Sequence, residues 1–545
     1  MERGRSDVRR AVPVSGSLRM HRRDFILAAS AAVLPLPAIA QGDKARTLRF
    51  IPQANLTILD PIMTTAGVTL DHGYTVFDTL FATGQDFRPV PQMAEGHQVA
   101  DDGRTWTIRL REGVRFHNGE PVRAIDCATS LARWSKRDTF GQTLAAAVDA
   151  WQAADDRTLR IVLNRPFPRL LEALAFVGPI PAFIMPESLA RTDPYKPVAE
   201  MIGSGPYRFL KDEFVSGSRV AYARFDGYVP RAETPALNAG AKVAHFERIE
   251  WQIIPDSATA AAALQAGEVD WWEFADADLA PALARNRAIK VQPYDPTGFM
   301  GFLRFNAHVP PFDNPKLRRL VLSAVDQADY MPLITGGDDG AWRVWRSMFP
   351  AGFPFVKEAG ASVMGARKDF DVLRRELRDA GYTGERVVVL SPSDLANIAP
   401  FGDVTAELLR KLGMNVDLQV ADWGTVVQRR TSRETVEKGG WSIFHTTWKS
   451  ASIANPALNT NIRGQGEKGW FGWFDSPDIE RQTAEWLNAA TEADQQHLFD
   501  QIQQTAFDQA PVVPLGQFLQ KTAFRTDITG IVPGPAAFPW SVRRG

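Results

Sequence analysis

Apolar and polar positions along this chain alternate in two periods, with Gly and Pro marking the changes. Trp106-Thr107-Ile108-Arg109-Leu110 has the period-two pattern of a half-buried strand. Asp101-Asp102-Gly103 supplies a turn before it, and His117-Asn118-Gly119-Glu120-Pro121 another after it. A helix is predicted from Ala124 to about Trp134. Asp256 or Ser257 can cap a helix reaching Ala266, where Gly267 takes the left-handed stop position. Val269 to Phe274 then reads as a strand. Asn314-Pro315 is a cap followed by proline at the first helical position, which opens a helix to about Asp326.

Between about residues 370 and 450 the alternation becomes regular. A helix ends at Gly381, and Arg386 to Leu390 forms an apolar strand. A helix from about Asp403 to Leu412 stops at Gly413 before the strand Val416 to Val420. A further helix after Asp422 precedes the strand Trp441 to Thr446. This βαβ order predicts a largely parallel sheet covered on both faces. Internal repeats, low-complexity tracts and long linkers are absent, so the domains are expected to be joined by two or more crossing strands.

Length and charge narrow this picture. The 545 residues suit two or three domains at roughly 100–200 residues each. Lys plus Arg number 62 against 63 for Asp plus Glu, a net charge of −1 that favours neither nucleic acid nor an anionic membrane. Cys127 stands alone, so neither an intrachain disulfide nor a Cys-based zinc site can form. Near the N-terminus, His21-Arg22-Arg23-Asp24-Phe25-Ile26 leads into apolar Leu27 to Leu36 and then small residues at Ala38 and Ala40. This is a secretory signal with paired arginines of the twin-arginine type, cleaved near Ala40. The apolar stretch falls short of the roughly 20 residues a membrane span needs. Met20 stands where a start codon would lie, so residues 1–19 read as an upstream extension. A periplasmic mature protein beginning near Gln41, without membrane insertion, is the expectation.

The motifs then take on a familiar order. Pro91-Gln92-Met93-Ala94-Glu95 is followed by Asp101-Asp102-Gly103-Arg104-Thr105-Trp106 and by Leu110-Arg111-Glu112-Gly113-Val114-Arg115-Phe116-His117-Asn118-Gly119. Ala124-Ile125-Asp126 and Ser130-Leu131 complete that stretch. Leu59-Asp60-Pro61, Gly203-Ser204-Gly205-Pro206-Tyr207, Leu264 to Asp270, Phe305-Asn306 with Asn314 to Arg318, and Ala510-Pro511 with Pro514-Leu515 extend it across the mature chain. The chain resembles the extracellular solute-binding proteins of family 5, the peptide, nickel and opine type of ABC-importer receptor.

The resemblance implies an α/β, two-lobed, periplasmic-binding-protein-like fold of type II, with an extra subdomain and a ligand cleft between the lobes. Residues 1–40 are then extension and signal, 41–304 the first lobe with a subdomain inserted at about 90–202, 305–505 the second lobe, and 506–545 a return to the first. It implies a small-molecule ligand (peptide-like, carboxylated or chelate-type), ABC-importer permease subunits as partners, a monomer, and neither cofactor nor resident metal. A chemosensor receptor or a periplasmic carrier or chaperone of the same fold is the alternative.

In peptide-binding relatives a cleft Trp follows an acidic residue at a helix start, as in Asp422-Trp423, and a second follows the later strand, as does Trp448. Each lines the cleft or packs within its lobe. Those relatives carry an aspartate three residues beyond the second Trp for the peptide ammonium; here Ala451 stands there. A buried ammonium without a carboxylate is costly, which argues against ordinary peptides. Lys449 suits an anionic ligand group or solvent. His445 suits a ligand carboxylate, a metal chelate or a structural hydrogen bond. Thr65 lies in a loop that faces the cleft in relatives. Enzyme chemistry finds no footing: H-E-x-x-H, G-x-S-x-G and a P-loop lysine are all missing from the sequence.

Overall fold

The computed structural model describes residues 46–365, 369–489 and 491–545. The signal segment, its cleavage point near Ala40 and the extension at 1–19 lie outside the described residues. Two mixed sheets organise the rest. The first has seven strands in the order Tyr207–Phe209, Arg219–Arg224, Arg248–Gln252, Thr47–Ile51, Trp271–Ala275, Lys521–Arg525, Ile289–Pro293. The second has six, in the order Trp342–Arg343, Val512–Phe518, Phe299–Phe305, Ile443–Lys449, Arg386–Pro392, Asn415–Ala421. A separate antiparallel sheet of four strands, between Ala94 and Leu163, carries the Trp106 strand and packs against the helix Ala124–Trp134.

The chain passes between the two large sheets twice. One crossing runs from Pro293 to Phe299 and the other from Phe518 to Lys521. They lie side by side, with Tyr294 N donating to Gln520 O at 2.8 Å. The second lobe therefore begins at Phe299 rather than at 305. Its last strand, Val512–Phe518, still belongs to the second sheet, so the return comes at Leu519 rather than at 506. Phe299–Phe305 is buried along its whole length and pairs on both edges, which commits it to the second sheet.

Local expectations mostly translate into elements. Asp256 caps the helix Ser257–Ala266 by accepting from Thr259 N, and Gly267 ends it at φ 70°. Asn314 caps Pro315–Ala324 in the same way. In the second sheet the parallel arrangement holds only within the βαβ stretch, where Arg386–Pro392 pairs in parallel with Asn415–Ala421 and Ile443–Lys449. Strands that arrive through the crossings run antiparallel to their neighbours, so the sheet is mixed. The helix expected from Asp403 starts at Ala399, because Pro400 is tolerated in a first turn where its missing N–H is not needed.

Several motif residues explain themselves as packing. Asp60 is buried and holds Arg133 through both carboxylate oxygens, at 3.3 and 2.7 Å, while accepting from Val198 N at 2.9 Å. In the Gly203-Ser204-Gly205 turn, a Cβ on Gly203 would lie 2.0 Å from Val76 O, so only glycine lets the two backbones meet.

Candidate functional site

The two lobes meet over a cleft floored by the crossings. From the second lobe, the strand Ile443–Lys449 turns Phe444 and Trp448 toward Trp470, at 5.4 and 5.3 Å between ring centres. Next to it, Asp422 caps the helix Trp423–Arg429 by accepting from Thr425 N at 3.0 Å. Trp423 N donates to Asp394 Oδ1 at 2.7 Å, which fixes the start of this helix. Seven residues after Trp423, two helical turns along, Arg430 returns to the same side. From the first lobe, Thr65 reaches across. Its Oγ1 accepts from Trp470 Nε1 at 3.2 Å and from Arg430 Nη2 at 3.4 Å.

Arg430 is the centre of this arrangement. It is fully buried, and four rings surround its guanidinium: Phe471 at 4.9 Å, Phe444 at 5.4 Å, Trp423 at 5.5 Å and Trp470 at 5.7 Å. Its Nε has no partner, and no carboxylate pairs with it among the described residues. Burial pulls its pKa down to about 9. Two other buried arginines show what a structural role looks like. Arg318 donates to the backbone carbonyls of Phe312, Asp313, Gln509 and Ala510. Arg304 donates to those of Asn461 and Phe471. A guanidinium has five N–H donors; those two donate to backbone carbonyls, whereas the hydrogen bond found for Arg430 goes to the Thr65 hydroxyl, and the residue lines the cleft cavity.

Lys449 forms a second cationic point at the cleft floor. It pairs in register with Phe299, beside the first crossing. Its Nζ lies 5.4 Å from the centre of the Tyr294 ring and has no hydrogen-bond partner. Asp71 and Glu273 face it from the first lobe and share Gln53, whose Nε2 lies 3.2 Å from Asp71 Oδ2 and 2.7 Å from Glu273 Oε1. Burial raises both carboxyls, Glu273 well above its usual range with Asp71 adding to the effect, while the Lys449 charge opposes the rise. The pair therefore keeps a proton that exposed carboxyls would lose. Asp295, at the crossing, is raised by burial as well and is also opposed by Lys449.

Thr65, Trp423, Trp448 and Lys449 are thus brought together with Arg430 around one cavity of about 60 Å³. That space holds a few waters, whereas small-molecule sites take roughly 300–1,000 Å³. Admission of a solute there requires the lobes to part. An outer cavity of about 420 Å³ shares Thr65 and Pro179 with it and carries Lys136, Arg137, Arg433 and Lys468 on its walls, together with Asp138 and Glu467.

His445 is not brought to the cleft. Strand alternation turns it inward beneath the helix Ala399–Lys411, where Nε2 lies 2.7 Å from Thr405 Oγ1, itself 3.1 Å from Tyr330 Oη. Burial lowers its pKa to about 3, so it is a neutral structural histidine. Ala451 sits in the turn after Lys449, and no carboxylate lines the cavity that it borders. No group of His, Cys, Asp and Glu among the described residues could hold a metal ion. No described helix is long and apolar enough to cross a membrane.

Comparison with known proteins agrees with this architecture. The sequence matches the description "Bacterial extracellular solute-binding proteins, family 5 Middle" over residues 88–470. It is 34% identical to a probable peptide ABC transporter periplasmic-binding protein of Sinorhizobium fredii, over 97% of this chain and 100% of that one. A glutathione-binding protein of Pectobacterium atrosepticum is 25% identical over 94% of this chain and 96% of its own. In structure, the binding protein AgaA of A. tumefaciens R10, solved with agropinic acid, superposes with a TM-score of 0.77 at 20% identity. That match covers 92% of this chain and 99% of AgaA and shares the two-lobed periplasmic-binding-protein fold. The chain belongs to the bacterial extracellular solute-binding proteins of family 5, a family of transport receptors rather than enzymes.

Proposed function

We propose that this protein is the exported receptor of an ABC importer and that its cargo carries an anionic group, foremost a carboxylate, received by Arg430. The observation behind this reading is a buried guanidinium in an aromatic cage, without a carboxylate partner, facing the interlobe cleft. Burying a charge without a counter-charge is expensive, and an anionic solute removes the expense. Lys449 and the unpartnered Trp448 Nε1 stand by as further donors, and Trp423 and Trp470 offer ring faces. Thr65 closes the site from the opposite lobe.

The importer assignment draws on family membership and on the named relatives, which include a peptide transporter's binding protein and a glutathione-binding protein. An ordinary peptide is disfavoured as cargo, since Ala451 replaces the carboxylate that would meet its ammonium. For export, the paired Arg22-Arg23 ahead of the apolar segment supports the twin-arginine route. Replacing both by lysine is expected to retain the precursor in the cytoplasm; normal periplasmic recovery would exclude that route.

Mass spectrometry of small molecules released from the periplasmic protein tests the cargo. An acidic compound, bound by the wild type and lost from Arg430→Gln, is the expected result. A neutral or cationic compound held equally by both proteins would refute the reading.

A further inference from the structure

A second cavity, of about 240 Å³, lies beyond a wall made by Ser452 and Val177. Ser452 borders the Arg430 cavity and donates from Oγ to Val177 O at 3.0 Å, while Val177 borders the second cavity. Both lobes build this second space. The first contributes Phe87 and Leu237, and the second contributes Phe355, Ala451, Leu458 and Trp486. Its lining has no acidic residue, and its one charged residue, Arg169, lies with its guanidinium 4.9 Å from the centre of the Trp486 ring. An apolar cavity of about 150 Å³ already admits benzene, so the volume here suits a ring with substituents.

Backbone conformation marks the same place independently. Among the described residues, six non-glycine positions have positive φ, and three of them line this cavity: Phe87 at 60°, Leu237 at 49° and Phe355 at 67°. Bulky side chains avoid that region, and where they are held in it they concentrate at ligand clamps and functional loops. Phe87 also remains 47% exposed, at the tip of the turn between Phe81–Thr83 and Pro89–Pro91, where its ring meets Phe353 of the other lobe edge-on at 5.8 Å. A large aromatic side chain at a strained, half-exposed turn gains little from folding alone.

We infer that this cavity is an apolar subsite that seats an uncharged aromatic or branched-aliphatic group of the bound solute. The inference rests on the reading of the cleft as a solute site, but it uses none of the anion-binding residues. It also gives Ala451 a role. A carboxylate at that position would enter a largely apolar space, whereas the methyl group leaves room for the ligand.

Fluorobenzene, followed by 19F NMR, is the probe for the cavity itself. The wild type should broaden and shift its resonance. Ala451→Phe, which fills the space, should abolish the effect. Phe87→Gly, which suits the positive φ and so keeps the fold, should weaken it. Arg430→Met should leave it intact while losing carboxylates, which separates failure of this subsite from failure of the anion site. A graded series from 3-phenylpropionate to 8-phenyloctanoate, set against the unsubstituted alkanoates, tests whether the group belongs to the same ligand. A phenyl advantage of about tenfold in the wild type, absent in Ala451→Phe, is expected for at least one chain length. No fluorobenzene response in the wild type, an equal response in Ala451→Phe, or no phenyl advantage at any length would overturn the inference.

Discussion

Replacing Arg430 by methionine should stabilise the ligand-free protein while removing its capacity for an anionic solute. Burial holds the guanidinium at about 9, well below the ordinary arginine range, and at about 1.4 kcal/mol per tenfold that depression amounts to ~5 kcal/mol. Because the folded state disfavours the charged form, the cost is present in full below pH 9 and fades as the pH climbs toward the ordinary arginine range. Four ring contacts offset part of it, at roughly 0.5–1 kcal/mol each. A net gain of about 2 kcal/mol for the methionine is the result, in line with other buried charges replaced by apolar side chains. Arg318→Met is the control. It strands four backbone carbonyls and should lose about 3 kcal/mol or more. Denaturant titration reads both stabilities, and calorimetry with the recovered cargo reads binding. If Arg430→Met lowers the unfolding midpoint as Arg318→Met does, Arg430 is a structural residue and the case for an anionic cargo falls with it.

Further expectations concern neighbouring groups. Trp448→Phe removes an unpartnered buried donor while keeping a ring, and should weaken cargo binding about tenfold with little change in stability; unchanged affinity in calorimetry would remove the indole from the site. His445 sits at about 3 in the fold against an ordinary 6.5, so the unfolded chain takes up a proton first as the pH falls through that window. The associated loss is about 2 kcal/mol by pH 5, and His445→Gln should flatten it in pH-dependent unfolding without altering affinity. Glu273 is held well above its usual range by burial, so at pH 7 the unfolded chain has given up a proton that the fold keeps, and Glu273→Gln, with no proton to lose, should raise stability there. The wild type alone should then weaken as the pH rises above the ordinary glutamate range, levelling off once Glu273 ionises in the fold, and parallel curves for the two proteins would contradict a raised Glu273.

Much of this molecule could be read along the chain because its signals are local. The turn glycines, the caps at Asp256, Asn314 and Asp422, and the alternation through Trp106 act within a few residues and came through in the structure. Cleft residues were legible where a neighbouring element announced them, as with Trp423 after its cap. Arg430 escaped notice because its distinction is negative. Nothing in Gln428-Arg429-Arg430 says which arginine loses its solvent and finds no carbonyl, although the seven-residue interval from Trp423 placed one of them on the same helical face. His445 misled for the related reason that family position carries no information about which way a strand turns. The Asp71–Glu273 pair, 202 positions apart, exists only once the first sheet and the helix Gly67–Val76 are folded together. The boundaries at 305 and 506 shifted because sheet membership is decided by pairing across the crossings, which sequence order does not reveal.

The distribution of charge between the lobes has a kinetic consequence. Arg430 and Lys449 both belong to the second lobe, with Lys449 next to the crossing where rotation displaces it least. The first lobe offers Thr65, a hydroxyl. Seating of an anion in the inner cavity is therefore governed by the half of the molecule that holds both cations there, and retention by the other, which swings across afterwards. Alterations at Thr65 should lengthen or shorten the residence time of the cargo while leaving its rate of capture almost untouched. In a receptor that must both scavenge and release, this arrangement lets the two rates be tuned on separate surfaces.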